Sequence, residues 1–304
     1  MKYDIDKELK FLTVFSGSMV GRFYPLVNIG NKLNKCRSDR EVIVKRYLTP
    51  GYKGDKISTA IIEPKECSAS LPCIIFYHGG GFLMSAMQSH YQIAKWYAKR
   101  ANCKVVMPDY RLLPKHKYPV EIADCYKTYL WVLKNADRLS INKDKIIITG
   151  DSAGGNITAA VTAMLNDRKQ MLPKGTMLIY PALDKRMKTG SMSRFNDTPI
   201  FDSKCAKIFW DMYLENKDAE RAKYASASEI ENLGFFPDTY IEVAEYDCLH
   251  DEGVEFADKL SADGVKVELH EEKKTCHGYE AALKSDIVKT CINRRINWIN
   301  NIFE

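Results

Sequence analysis

The stretch Lys145-Ile146-Ile147-Ile148-Thr149-Gly150-Asp151-Ser152-Ala153-Gly154-Gly155-Asn156 decides the fold. Its first five residues read as a short buried strand, and Asn156 to Asn166 reads as a helix. Between them lies Gly-x-Ser-x-Gly. A strand that turns into a helix this tightly admits only small residues on either side of the serine, and the helix N-terminus behind it favours negative charge. The same stretch lacks the Gly-Lys-Ser/Thr ending of a phosphate loop.

Working outward, short apolar runs alternate with helical stretches. Glu41 to Leu48 and Ile57 to Ile62 are expected to pair as a hairpin across the Pro50-Gly51-Tyr52-Lys53-Gly54-Asp55 turn cluster. Strand Cys73 to Tyr77, helix Ser89 to Arg100, strand Val105 to Met107 and helix Val120 to Asn135 precede the central stretch. Strand Met177 to Tyr180 follows it. After Leu183 the alternation stops until about Asn232, broken by one helical piece from Ser203 to Leu214. It resumes with strand Thr239 to Ala244, helix Asp251 to Ala262, strand Val265 to Leu269 and a last helix from Tyr279 to Ile302. Short apolar strands between helices imply an α/β fold, with a mostly parallel sheet covered on both faces. An insertion as long as 183–232 is expected to be a lid or extra layer.

A serine is a weak nucleophile and needs a base. Where such an elbow is used, an acid and then a histidine follow the serine along the chain, which leaves His250, His270 and His277. His270 closes a strand and His250 follows one. His277 lies in the loop after the last strand and is followed by Gly278, so it is the expected base. For the acid, Glu245, Asp247, Asp251, Glu252 and Glu255 are available. Asp247 comes first in the loop after its strand, where it can accept from the imidazole N–H. Asp251 and Glu252 complement the start of the next helix.

Acyl transfer also needs donors aimed at the developing oxyanion. His78-Gly79-Gly80-Gly81-Phe82 follows the strand Cys73 to Tyr77, and its glycines let backbone amides approach a substrate closely. The expected donors are the N–H groups of Gly80, Gly81 and Ala153, with His78, Gly79 and Asp151 as supporting residues.

Composition narrows the field. The chain has 304 residues, of which 45% are apolar, and carries a formal charge of +6. Its basic residues are scattered, without the basic stripe of a nucleic-acid binder. Nine cysteines form no Cys-x-x-Cys pair and no zinc-spaced cluster, which favours reduced thiols and a cytoplasmic protein without structural metal. No run approaches the roughly 20 apolar residues needed to cross a bilayer. Ile5, Leu9, Leu12, Met19 and Phe23 recur at helical spacing and suggest one amphipathic packing helix.

The set His-Gly-Gly-Gly-Phe (78–82), Pro-Asp-Tyr-Arg-Leu-Leu-Pro-Lys-His-Lys-Tyr-Pro (108–119), Gly-Asp-Ser-Ala-Gly-Gly-Asn (150–156), Tyr-Pro (180–181), Asp-Cys-Leu-His-Asp-Glu-Gly (247–253) and His-Gly-Tyr (277–279) resembles the hormone-sensitive-lipase branch of the α/β-hydrolase carboxylesterases. The resemblance implies an α/β-hydrolase fold with about eight strands. It implies a Ser152-Asp247-His277 triad, an oxyanion hole from Gly80, Gly81 and Ala153, and a cap built from about 1–38 and about 183–232 over the acyl pocket. It further implies cleavage of short acyl esters without a cofactor. An amidase or formamidase, or a ligand-binding member of the same fold, stays open as an alternative, as does a homodimer.

Three positions depart from the family pattern: Cys248 stands where proline is usual, Cys276 precedes the histidine, and Leu113-Pro114-Lys115 replaces Ala-Pro-Glu. Cys248 and Cys276 flank the acid and the base, which raises the idea of redox sensitivity. Phe11, Phe15, Phe82, Phe195, Phe201, Phe209, Trp210 and Tyr213 are candidate pocket walls, and Lys273 and Lys274 are candidate contacts to anionic esters.

Overall fold

In a computed structural model, which describes residues 2–66, 70–215 and 223–304, the strands join into one eight-stranded sheet. The strands are β1 (Val42–Pro50), β2 (Lys56–Pro64), β3 (Leu71–Tyr77), β4 (Lys104–Pro108), β5 (Ile141–Asp151), β6 (Gly175–Ile179), β7 (Asp238–Tyr246) and β8 (Val267–Cys276), in spatial order β1-β2-β4-β3-β5-β6-β7-β8. The hairpin β1–β2 is antiparallel, and β2 meets β4 antiparallel. From β4 to β8 every pairing is parallel.

The continuous apolar runs are explained by burial on both faces. Cys73, Ile75, Tyr77, Ile146 and Ile148 point into one core, and Ile74, Phe76 and Ile147 into the other. Helices α3 (Val120–Lys134) and α5 (Ala153–Asp167) cover the first face. Helices α2 (Gln88–Arg100) and α9 (Asp286–Phe303) cover the second. Helix α8 (His250–Ala262) packs with α5 on a third cluster around Leu178, Ile241 and Val243. A single turn, α4 (Ala136–Leu139), precedes β5.

Three expectations need correction. The strand placed at Val265–Leu269 begins at Val267 and runs on to Cys276. Its outer part is an edge strand of mostly exposed, charged residues, so no apolar run marked it. The last helix starts at Asp286, where Ser285 accepts a hydrogen bond from the Val288 N–H at 3.2 Å; Tyr279–Ala281 forms a separate 3-10 turn.

The single N-terminal helix is instead a 3-10 segment, Lys7–Val14, followed by α1 (Gly17–Leu33). Leu9 and Leu12 are buried as expected, whereas Phe23 is exposed; the side chain of Met19 lies outside the described residues. The break has a tertiary cause. Phe15 is extended and its carbonyl accepts from the Ile200 N–H at 2.8 Å, while Ser16 bridges to Pro199.

Within 183–232 the structure forms α6 (Gly190–Arg194), α7 (Ser203–Tyr213) and a 3-10 turn Ala227–Glu229; residues 216–222 lie outside the described residues. Asp202 caps α7 by accepting from the Cys205 N–H at 2.8 Å. Helix α1 packs against α7, and Asn28 and Asn31 tie it to the glycine loop through Leu83 and Ser85. Both N-terminal segments and α7 therefore gather over one end of the sheet. Among the described residues no helix is long and apolar enough to cross a membrane.

Candidate active site

The serine turn begins directly at the carboxyl end of β5. Ser152 adopts φ 54° and ψ −119°, a conformation that costs a side-chain-bearing residue on the order of 1–3 kcal/mol. The surroundings hold it there: the Ser152 N–H donates to Ile179 O at 2.8 Å, and its carbonyl accepts from Ala182 at 3.1 Å and Gly155 at 2.9 Å. Glycine is required at 154 because any Cβ would run into the Tyr77 carbonyl oxygen. The strained turn thus presses α5 against β3.

Three residues far apart in the chain meet at this turn. His277 Nε2 lies 2.9 Å from Ser152 Oγ, and His277 Nδ1 lies 2.6 Å from Asp247 Oδ2. Asp247 is fully buried, and its other oxygen accepts the Leu249 N–H at 3.0 Å. With Nδ1–H donated to the carboxylate, the lone pair of Nε2 faces the serine hydroxyl, an assignment read from the hydrogen-bond network. Tyr180 stands edge-on to the imidazole with centroids 4.8 Å apart, and Phe201 covers it at 4.7 Å.

The other histidines and carboxylates have different tasks. His270 lies within β8, with Nε2 2.7 Å from Glu268 Oε1, and does not approach Ser152. His250 opens α8 beside Asp251. Asp251 accepts the Ser191 N–H at 2.6 Å, and Glu252 accepts the Leu183 N–H at 2.5 Å, so both secure the inserted segment. Glu245 accepts the Lys274 N–H at 2.7 Å. Glu255 is a residue of α8.

The glycine loop lies beside the serine. Gly80 and Gly81 have φ of 112° and 61°, and the Gly80 carbonyl is taken up by the N–H groups of Leu83 and Met84 at 3.0 and 2.9 Å. Both glycines line the same pocket as Ser152; Ala153 is not part of the pocket wall and opens α5 immediately behind the serine. A side chain at Gly81 would strike the Phe209 ring. Gly79 donates to Asp151 Oδ1 at 2.9 Å, so the residue before the serine ties down the loop.

His78 points away from the reaction. It stacks on Tyr110 at 4.4 Å, and its carbonyl accepts from the Tyr110 hydroxyl at 2.6 Å. Burial, reinforced by nearby His90, pushes its pKa down to about 4, so it is neutral at ordinary pH. Leu113 props the loop from below by donating its N–H to Phe82 O at 2.9 Å, while Lys115 in the departing motif is exposed.

The pocket over Ser152 has a volume of about 400 Å³ and a mainly apolar wall. Phe11, Phe15, Phe201 and Phe209 line it as expected. Phe82, Phe195, Trp210 and Tyr213 do not; they are buried in the core, where Phe82 stacks on Tyr213 at 4.1 Å. Aromatic residue type marked them without showing which way each ring turns. Lys273 and Lys274 are solvent-exposed and paired with Glu271 and Asp4. Cys248 and Cys276 are fully buried free thiols whose pKa values burial drives upward, that of Cys276 to about 12, which removes the thiolate character of a redox sensor.

Sequence reasoning missed a layer behind the pocket. His90 and Glu280 both line it. Glu280 accepts from the Tyr180 hydroxyl and pairs with buried Arg295, which also holds Glu242. His90 meets Asp151 at 3.1 Å. Each of these residues sits inside a helix, strand or turn pattern that has a plain structural reading, and no local motif marks it.

A mostly parallel sheet whose central strand runs straight into a strained serine turn is the plan of the α/β hydrolases. The family model described as alpha/beta hydrolase fold matches residues 74–281, and the chain belongs to that family. Within it the chain falls in the hormone-sensitive-lipase-like branch of carboxylic ester hydrolases. It is 34% identical over 226 residues to esterase LipI of Mycobacterium tuberculosis, covering 73% of this chain and 71% of the relative. Carboxylesterase NlhH of the same species is 34% identical over 235 residues, covering 76% and 74%. Among solved structures, a bacterial heroin esterase superposes over 100% of both chains with a TM-score of 0.92 at 26% identity.

Proposed function

We propose that the protein is a cytoplasmic serine carboxylesterase for short acyl esters, acetyl to hexanoyl, with Ser152, His277 and Asp247 as its catalytic triad. The observation that carries the reading is the unbroken run from Ser152 Oγ through His277 to Asp247, with contacts of 2.9 and 2.6 Å. Ser152 Oγ attacks the ester carbonyl carbon while its proton passes to His277 Nε2. The Asp247 carboxylate holds the imidazole in the needed tautomer and stabilises the imidazolium. The N–H groups of Gly80, Gly81 and Ala153 receive the oxyanion. Collapse breaks the carbon–oxygen bond, and the leaving alkoxide takes the proton from His277. Water, deprotonated by the same nitrogen, then attacks the acyl-serine; the acid departs and Ser152 regains its proton.

A pocket of about 400 Å³, shared between the acyl and alcohol parts of an ester, supports a short acyl range. The N-terminal segments and the insertion at about 183–232 act as the cap, since Phe11, Phe15, Phe201 and Phe209 reach the pocket from them. The eight described cysteines are all free and buried, in keeping with a reducing compartment.

The test is hydrolysis of p-nitrophenyl esters from acetate to laurate, with Ser152→Ala as control. Turnover concentrated on acetate to hexanoate and abolished by Ser152→Ala is expected. No turnover on any ester by folded protein overturns the reading and directs attention to amides or to ligand binding.

A further inference from the structure

We infer that His90 is a positioning residue for the oxyanion hole: it fixes the Asp151 carboxylate that clamps the glycine loop against the nucleophile turn. The inference rests on the reading of Ser152 as nucleophile and of Gly80, Gly81 and Ala153 as donors.

Four contacts define the arrangement. The Met87 N–H donates to His90 Nδ1 at 2.9 Å, so the imidazole proton resides on Nε2. Nε2 faces Asp151 Oδ2 at 3.1 Å and donates to it. Asp151 Oδ1 accepts the Gly79 N–H at 2.9 Å. Gly79 leads directly into Gly80 and Gly81, and Asp151 leads directly into Ser152 and Ala153. One carboxylate therefore sets the distance between the two parts of the oxyanion hole, although Gly79 and Asp151 are 72 residues apart.

The clamp depends on its third member. His90 and Asp151 are 4% and 6% exposed, so in the intact protein the carboxylate is served by the imidazole and not by bulk water. A buried carboxylate that loses a donor is costly and must turn or take up a proton. Either response loosens its hold on Gly79. The spacing is tight already, because a Cβ on Gly79 would collide with Asp151. His90 also lines the pocket, so it stands between the substrate wall and the donors without reaching the serine itself.

Two substitutions separate this role from a merely structural one. His90→Asn retains an acceptor for the Met87 N–H at the start of α2 but is too short to reach Asp151. His90→Gln carries an amide N–H to about the position of Nε2. The measurement is kcat and KM on p-nitrophenyl acetate, with the inhibition constant of a trifluoromethyl ketone, which forms a tetrahedral adduct, and that of acetate. For His90→Asn we expect kcat to fall about 10- to 100-fold with KM nearly unchanged. Affinity for the ketone should fall in proportion and affinity for acetate should stay, while His90→Gln recovers most of both. The melting temperature of each variant is recorded alongside. Wild-type kcat and ketone affinity in His90→Asn overturn the inference, as does a loss that appears equally in KM and in acetate binding. Labelling of wild-type protein by a fluorophosphonate, absent in Ser152→Ala, reports the nucleophile independently. If that labelling fails, the reading of Ser152 and this inference fall together; if it succeeds, the His90 variants alone decide.

Discussion

Nδ1 of His277 and Oδ2 of Asp247 lie 2.6 Å apart, with the carboxylate wholly buried and its second oxygen held by the Leu249 N–H. Asp247 is therefore held by a backbone contact as well as by the imidazole. Replacing Asp247 by Asn keeps the shape but presents an N–H to Nδ1, which favours the wrong tautomer. The expected result is a fall in kcat of about 10³- to 10⁴-fold, with folding retained. Steady-state kinetics beside far-ultraviolet circular dichroism check it, and a loss below tenfold would contradict the assigned role.

Phe209 closes the pocket against Gly81 and stacks on Phe201 at 5.6 Å, which in turn covers His277. Phe209→Ala should cost about 3 kcal/mol of stability and leave room for a longer acyl chain. In a p-nitrophenyl ester series, the ratio of kcat/KM for octanoate over acetate should rise about 10-fold. An unchanged ratio would place Phe209 away from the acyl chain.

Cys248 and Cys276, beside Asp247 and His277 in the chain, are shielded by burial. Neither thiol is accessible, and both have raised pKa values. Native protein treated with iodoacetamide or peroxide at neutral pH should keep its esterase rate, and peptide mass mapping should find Cys248 and Cys276 unmodified. Rapid loss of activity with alkylation at either site would refute this.

Glu121 in α3 is buried near the Tyr213 hydroxyl, and burial pushes its pKa up from 4.5 to about 8. The folded state then binds a proton that the unfolded state releases. Its contribution is fully present below about pH 4.5 and declines as pH rises through about 8, by up to about 1.4 kcal/mol per pH unit inside that window. Glu121→Gln removes the titration. Urea unfolding from pH 5 to 9 should show a stability for the variant that depends less on pH and exceeds that of the wild type at the alkaline end.

Arg295 is 1% exposed and pairs with both Glu242 and Glu280, the latter on the pocket wall. Arg295→Met would leave two buried carboxylates without their cation. The loss should be about 3–5 kcal/mol, read as a lowered urea midpoint. Restoration of stability on adding Glu242→Gln would show that the stranded charges, not lost packing, carry the penalty.

Much of the candidate site's geometry was legible because local patterns mark its turns. The serine turn needs glycine where a Cβ would strike the Tyr77 carbonyl, the glycine loop needs positive φ at Gly80 and Gly81, and His277 needs a loop at the sheet's carboxyl end. Those requirements act on neighbouring residues, so they leave a trace in residue order. The apolar runs of β3 and β5 were legible for a similar reason, since both faces of each strand are buried.

What the sequence determined by itself was the α/β architecture, the order of the strands along the chain and the candidate nucleophile, acid and base. Only the tertiary structure decided where β8 and α9 begin, why the N-terminal segment breaks at Phe15, and which aromatic rings face the pocket. It alone brought His90 to Asp151 and Arg295 to Glu280. The physical reason is the range of the interactions. Turn sterics and strand periodicity act within a few residues and are written in adjacent letters. The direction of a side chain and the partner of a buried charge are fixed by segments dozens to hundreds of residues away, which no local pattern records.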